Sequence, residues 1–294
     1  ACECCAICTE GRPMSTEPGA TEPVEQIDRS TGSLLDIVRF EGEQRLRITG
    51  VLAVVFALFG AMFVALAPDI VATGAYDDII EAMPPAMQAL VGFESFGSIE
   101  GIVAGEYYTF TWIVGLAGYL AYSAAGSVAG DLKDDRMDTL LAAPISRTKV
   151  LLGKYLGLLV PIIVLNIVVP LVLYVGSVLV DMPLPLADLA VLHALSVPYL
   201  LCWAAIGLFA GVVVRRGRTA GRSALGVVIA AWLIEAVVVS TEFEWIGAVS
   251  PMRYLDPSAV LVDGTYDVIG ASLLLVVAVV FVAASQLWFR RSDL

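Results

Sequence analysis

Long apolar runs separated by short polar clusters dominate the chain, and six of them are long enough to cross a bilayer. The first, Ile48 to Ala67, holds no charged residue over its twenty positions, and at 1.5 Å per residue it covers the roughly 30 Å hydrocarbon layer. The others are Tyr107 to Gly130, Tyr155 to Val180, Leu189 to Val214, Ser223 to about Ser240, and Val268 to Phe289. Backbone polar groups in lipid must be satisfied within their own segment, so these runs are expected to be helices rather than strands. The pattern predicts an all-α polytopic membrane protein with six transmembrane helices over residues 48–291.

The stretches between the runs differ in kind. Met14 to Ser33 is rich in Thr, Glu, Pro and Ser without an apolar face, and residues 1–33 read as a disordered tail. In Leu34 to Arg47, Leu34, Ile37 and Val38 share one helical face while Asp36, Glu43, Arg45 and Arg47 supply polar ones. That pattern predicts an amphipathic helix on the membrane interface, or else an extension of the first span. Pro68 to Glu106 breaks at Pro84-Pro85 and predicts short amphipathic helices at Tyr76 to Met83 and Ala86 to Phe93. Thr241 to Asp267, with Phe243, Trp245, Ile246, Pro251 and Met252, is too apolar for a free loop and too broken for a span. It reads as a re-entrant or interfacial hairpin, with an aromatic-rich loop as the alternative.

Composition excludes a soluble fold: 59% of residues are hydrophobic, 16% are charged, and the mean hydropathy is +0.85. The net charge of -12 argues against nucleic acid as a partner, because phosphate binding needs a basic patch. The placement of basic residues gives orientation. Fourteen of them, from Arg39, Arg45 and Arg47 through Lys154 to Arg290 and Arg291, fall on one side of the predicted spans, against Arg253 alone on the other. The basic side is expected to be cytoplasmic, which puts both termini there in a plasma-membrane protein. An acidic, arginine-over-lysine composition also suits the salt-rich cytoplasm of a halophile.

Four of the five cysteines, Cys2, Cys4, Cys5 and Cys8, open the chain. They read either as a thiolate metal site or as sequence upstream of a start at Met14, because the spacing lacks the two separated pairs of a zinc ribbon. Cys202, inside an apolar run, reads as a small packing residue.

Within the spans, Gly126 with Gly130 and Gly207 with Gly211 have the four-residue spacing that lets helices approach closely, and Ala117, Ala121, Ala125 and Ala129 repeat at the same interval. Intrachain packing and a subunit interface both fit. Glu235 is the costly residue, since a charged carboxylate in the bilayer core costs roughly 2.5 to 3.5 kcal/mol. It must be neutral, paired or facing water, and with Asn166 it is the candidate intramembrane functional group. Asn166 and His193 also fit structural hydrogen bonding, and Pro161, Pro170 and Pro198 fit kinks.

No catalytic or cofactor motif appears. The chain has no phosphate-binding Gly-x-x-x-x-Gly-Lys-Ser/Thr loop, no His-Glu-x-x-His and no Gly-x-Ser-x-Gly, and His193 is its only histidine. No catalytic, cofactor-binding or metal residue is assigned.

The most informative polar segment is Asp131 to Lys154, DLKDDRMDTLLAAPISRTKVLLGK. Met137, Leu140 and Leu141 form an apolar patch at helical spacing among Asp134, Asp135, Arg136 and Asp138, and Pro144 ends that element. Ser146 is placed to cap a helix carrying Arg147 and Lys149 through Gly153 into the third span. A short helix of this kind either hugs the bilayer or docks into a soluble partner.

Here the chain resembles the permease subunits of ABC-2 type ATP-binding cassette transporters, a group that includes NosY-like and Gld-type permeases. The features that carry the resemblance are the acidic turn Asp131 to Asp138, Thr139 to Leu141, Pro144 to Arg147, and Leu152 to Lys154; Phe40 and Glu41 before the first span fit as well. It extends from about Leu34 to Arg291. The acidic turn departs from many relatives in holding no glycine.

The resemblance implies that Asp131 to Thr148 is a coupling helix, with Asp134, Asp135, Arg136, Met137, Leu140, Leu141, Pro144 and Arg147 facing a separate ATP-binding subunit. ATP and Mg would then be bound in that partner and none in this chain. Leu34 to Arg47 would be the connecting helix, and Thr241 to Asp267 the outer re-entrant region. The expected function is an exporter permease that pairs with a second permease chain, identical or related. A non-transport scaffold that assists maturation of another protein is the alternative.

Overall fold

The first apolar run folds as part of a single helix of 40 residues, α1 (Leu34–Thr73). The amphipathic stretch and the first span are therefore continuous, because nothing between Leu34 and Ala67 interrupts the helix until Pro68. Even Pro68 is absorbed, and the helix runs on to Thr73. Proline there withholds one N–H, from the carbonyl of Val64, without ending the helix. The structure, a computed structural model, describes residues 33–73, 82–84, 87, 97–133, 146–214, 216–239 and 241–291. The tail, its cysteines and nearly all of the two helices expected between Tyr76 and Phe93 lie outside the described residues.

The second span begins earlier than the apolar pattern indicates, at Ile99 rather than Tyr107, and changes winding along its length. A short α2 (Ile99–Ile102), capped by the Ser98 hydroxyl, leads into a π-helical stretch (Val103–Leu116) and then α3 (Ala117–Lys133). Wider π winding is rare and tends to occur at functional sites. It is invisible to a search for 3.6-residue periodicity. Here it holds Tyr107, Tyr108 and Trp112, all buried.

The third span is two helices. α4 (Arg147–Leu156) starts at Ser146, whose hydroxyl accepts from the Lys149 N–H as its spacing predicts, and α5 (Leu159–Leu179) follows. The break comes at Gly157 and Leu158, just before Pro161, which sits in the first turn of α5 where its missing N–H costs nothing. α6 (Leu186–Val214), α7 (Gly217–Val238) and α9 (Val268–Arg291) supply the remaining spans. In all, six helical segments among the described residues are long and apolar enough to cross a membrane.

Thr241 to Asp267 contains two 3₁₀ helices, Glu244–Val249 and Pro251–Tyr254, and a short α8 (Pro257–Leu261) whose N-terminus is capped by Asp256. Met252, Leu255, Val260 and Leu261 are buried in the core, while Phe243, Trp245 and Val249 are exposed.

The core is organised around α6, which packs on α3, α7, α5 and α9. Its Gly207 and Gly211 lie so close to α3 that an added Cβ would stand 2.3 Å from the Ala121 carbonyl oxygen and 2.6 Å from that of Ala125. The Gly207/Gly211 and Ala121/Ala125 repeats therefore meet each other within one chain. Gly130 lies against Gly217, and Gly126 has nothing nearby. α1 packs on α4 and α5, leaving Val51, Val54, Leu58 and Met62 exposed, as an apolar environment requires.

Candidate functional site

At the end of the bundle that bears the basic clusters, α1, α3 and α4 are tied by buried charges. Gly153 and Gly157 let α1 settle directly onto the third span: an added Cβ at Gly153 would come 2.4 Å from Ile37 Cγ2, and one at Gly157 2.7 Å from Glu41 Cβ. That contact carries the Glu41 carboxylate to Lys154. Lys154 Nζ donates to Glu41 Oε1 at 2.6 Å and pairs with Asp131 Oδ2 at 2.7 Å. Arg45, one turn after Glu41, approaches Glu41 Oε2 at 3.2 Å and donates to Ser123 Oγ at 2.5 Å. Two acids and two bases thus close a neutral network, with Lys154 4% exposed and Arg45 8%. Burial of this depth is tolerable because each charge has an opposite partner.

The position of this network matters more than its strength. Asp131 and Lys154 bracket the segment expected to couple to an ATPase, and Glu41 sits on the helix that precedes the first span. Asp131 lies at the end of α3 and Lys154 on α4, so the network joins the two helices that flank that segment to α1. None of these four is among the residues expected to couple, although Glu41, Asp131 and Lys154 fall in the elements that carry the family resemblance and the i, i+4 spacing of Glu41 and Arg45 is plain in the sequence. The pairings with Asp131 and Lys154 are long-range and had no local signal. Of the expected coupling residues, Asp134, Asp135, Arg136, Met137, Leu140, Leu141 and Pro144 lie outside the described residues. Arg147 is described only as the first residue of α4.

At the opposite end, Glu235 is paired. Arg253 Nε lies 3.7 Å from Glu235 Oε1, and its Nη2 and Nη1 donate to Glu244 Oε1 and to the Glu244 carbonyl, each at 2.5 Å. Gly247 packs against the Glu235 carboxylate, where an added Cβ would come 2.3 Å from Oε2. The one basic residue on the acidic side therefore sits beside the one acid of the fifth span, which lies in the last turn of α7, three residues from its end at Val238. Arg253→Ala is expected to lower thermal stability by about 1–3 kcal/mol, because it frees two carboxylates from one partner. Glu235→Gln keeps the shape without the charge and is expected to change it by less. Thermal unfolding in detergent checks this, and a larger loss in Glu235→Gln would contradict it.

Asn166 belongs to a buried network between α5, α6 and the π-helical stretch. Asn166 Nδ2 donates to the Ile162 carbonyl at 2.8 Å, which leaves Oδ1 to accept from His193 Nδ1 and from Ser196 Oγ, both at 2.9 Å. His193 Nε2 then accepts from the Tyr108 hydroxyl at 2.8 Å. A neutral imidazole with its proton on Nδ1 satisfies both contacts. Trp112 stands edge-on to the His193 ring, 4.8 Å between centroids. Asn166→Leu would strand the His193 Nδ1–H, while the Ser196 hydroxyl keeps the His193 carbonyl at 2.8 Å as its acceptor, and the loss is expected to cost about 1–3 kcal/mol. Hydrogen exchange of α5 and α6 backbone amides would report that loosening, and unchanged protection would argue against the network.

Among the described residues no group of three or more His, Cys, Asp or Glu is placed to hold a metal ion. Cys202 is fully buried, as expected of a packing residue. No curated protein matches the chain. The family profile described as "ABC-2 family transporter protein" matches residues 40–294, which takes in α1 from Phe40, all six spans and the segment between Asp131 and Lys154. The chain accordingly belongs to the ABC-2 family of transporter permeases, and its role is that of a permease rather than an enzyme.

Proposed function

We propose that this chain is the transmembrane subunit of an ABC exporter in the plasma membrane, with both termini cytoplasmic. ATP and Mg are bound and hydrolysed in a separate nucleotide-binding subunit, and two permease chains pair around the transport path. Asp131 to Thr148 docks on that ATPase, with Leu140 and Leu141 forming its apolar edge. The observation that carries this reading is the Glu41–Lys154–Asp131 network, which joins α3 and α4, the helices on either side of the docking segment, to α1 and so offers a route for its displacement into the spans.

The orientation rests on the excess of arginine and lysine at the network's end of the bundle. With that end inside, the Thr241 to Asp267 block lies at the outer surface, where its exposed Trp245 and Phe243 suit the membrane interface. The acidic composition fits a salt-rich host. Purification of the tagged chain from its own membranes is expected to bring down an ATPase whose hydrolysis changes when the permease is present. An ATPase that binds but is indifferent to the permease would favour the scaffold role instead.

A further inference from the structure

The second span begins at Ile99, and that early start draws Glu106 inside it, seven residues along. Its Oε1 is enclosed and has no hydrogen-bond partner among the described residues. Elsewhere enclosed acids meet bases, Glu41 and Asp131 at Lys154 and Glu235 at Arg253. For Glu106 the chain has no base to spare. From Ile48 to Asp131 it holds no lysine, arginine or histidine, and Arg253, the one arginine or lysine on the acidic side, is taken up by Glu235 and Glu244. A second copy of this chain would bring the same shortage. The counter-charge of a Glu106 carboxylate therefore comes from outside the protein, as a proton or as a cationic guest.

What surrounds Glu106 favours a guest. Phe110, about one turn further along the π winding, is 39% exposed and stands edge-on to Trp232 of α7, 5.9 Å between centroids. The uncovered sides of α1 and α9 present Val51, Leu58, Val276 and Val279, as lipid requires, whereas the second span presents a half-buried acid and an aromatic pair. A carboxylate inside the bilayer turns to water or to a bundle interior, not to acyl chains. An organic cation suits such a place, because it gives up its loose hydration readily and is attracted to aromatic faces within about 6 Å of the ring centroid. A divalent metal ion needs several oxygen ligands, and among the described residues no group of three or more His, Cys, Asp or Glu is placed to hold one.

We infer that Glu106 binds the charged group of an organic cation on the uncovered side of the second span, with Phe110 and Trp232 as its aromatic wall. The cargo class this names rests on the exporter reading; the binding itself does not.

The test uses the purified full-length chain in phosphatidylcholine nanodiscs without any ATPase, so it can fail while the exporter reading stands. The probe is radiolabelled methyltriphenylphosphonium, whose charge is permanent, with empty nanodiscs as the blank. Saturable binding is expected. Unlabelled methyltriphenylphosphonium should displace the probe at least about tenfold better than triphenylphosphine oxide, which has nearly the same shape and no net charge; that ratio corresponds to about 1.4 kcal/mol. Glu106→Gln should weaken binding about tenfold, while Glu100→Gln, at the same end of the span, should leave it unchanged. If Glu106→Gln fails to fold, the wild-type chain carries the test: a saturating amount of the cation should slow modification of Glu106 by dicyclohexylcarbodiimide, mapped by mass spectrometry. Unchanged affinity in folded Glu106→Gln means that the carboxyl holds only a proton. An equal fall in Glu100→Gln means diffuse surface charge, and equal displacement by the oxide means apolar binding alone. Any of these, no saturable binding, or modification of Glu106 that the cation does not slow overturns the inference.

Discussion

Replacing Lys154 by methionine is expected to destabilise the chain by about 3–5 kcal/mol, the usual cost of removing one partner from a buried ion pair. Methionine keeps much of the side-chain volume, so packing is not the reason. The reason is that Lys154 faces two carboxylates, Glu41 and Asp131, and is itself 4% exposed. Without it, three charges remain: two negative and, in Arg45, one positive. A buried uncompensated carboxylate must then take up a proton or drag in water, and either disrupts the contact of α1 with α4. Asp131→Asn added to Lys154→Met removes that excess and leaves the Glu41–Arg45 pair, so the double variant is expected to recover at least half of the loss. Unfolding midpoints in detergent would show a fall of about 10 °C for the single variant. Equal instability of single and double variants would mean that charge balance is not what the network provides.

The second large effect is expected from Gly207. An added Cβ would stand 2.3 Å from the Ala121 carbonyl oxygen and 2.6 Å from its Cα, both backbone atoms of the facing helix. A side chain could rotate away, but α3 cannot. Gly207→Ala must therefore push two central helices apart, and overpacking of this kind costs about 1–3 kcal/mol or more. Gly207→Leu is expected to abolish folding, seen as loss of a monodisperse species on extraction. Gly126→Ala is the matched control, because nothing lies near that position and alanine favours a helix over glycine by about 1 kcal/mol. If Gly207→Ala and Gly126→Ala behaved alike, the close crossing of α3 and α6 would be wrong.

The six spans were legible because each depends on local composition, and the cap at Ser146 because it depends on four consecutive positions. The glycine pairs announced a close approach, and Gly207 with Gly211 makes one, but spacing could not say which helix they would meet. Three features escaped. The π-helical winding of Val103–Leu116 leaves no mark on a 3.6-residue period. The passage of α1 through Pro68 depends on packing that holds the helix together past a breaker, as at Val64 against Gly176. The charge network joins Glu41 to Lys154 across 113 positions, and no window of sequence contains both. Glu235 was flagged by cost alone. Its partner Arg253 was visible as the lone basic residue on the acidic side, yet only the fold brings the two together.

In the proposed exporter, the segment between Asp131 and Lys154 receives a separate ATPase and the buried charges beside it pass the motion on. The most direct measurement compares the complex purified through the wild-type chain with one purified through Leu140→Asp/Leu141→Asp and one through Lys154→Met, recording both the ATPase recovered and its hydrolysis rate. The double aspartate variant is expected to recover no ATPase, because two carboxylates replace the apolar edge proposed for docking. Folded Lys154→Met is expected to recover the ATPase but no longer to change its rate. Full recovery and a normal rate with the double aspartate variant would contradict this coupling.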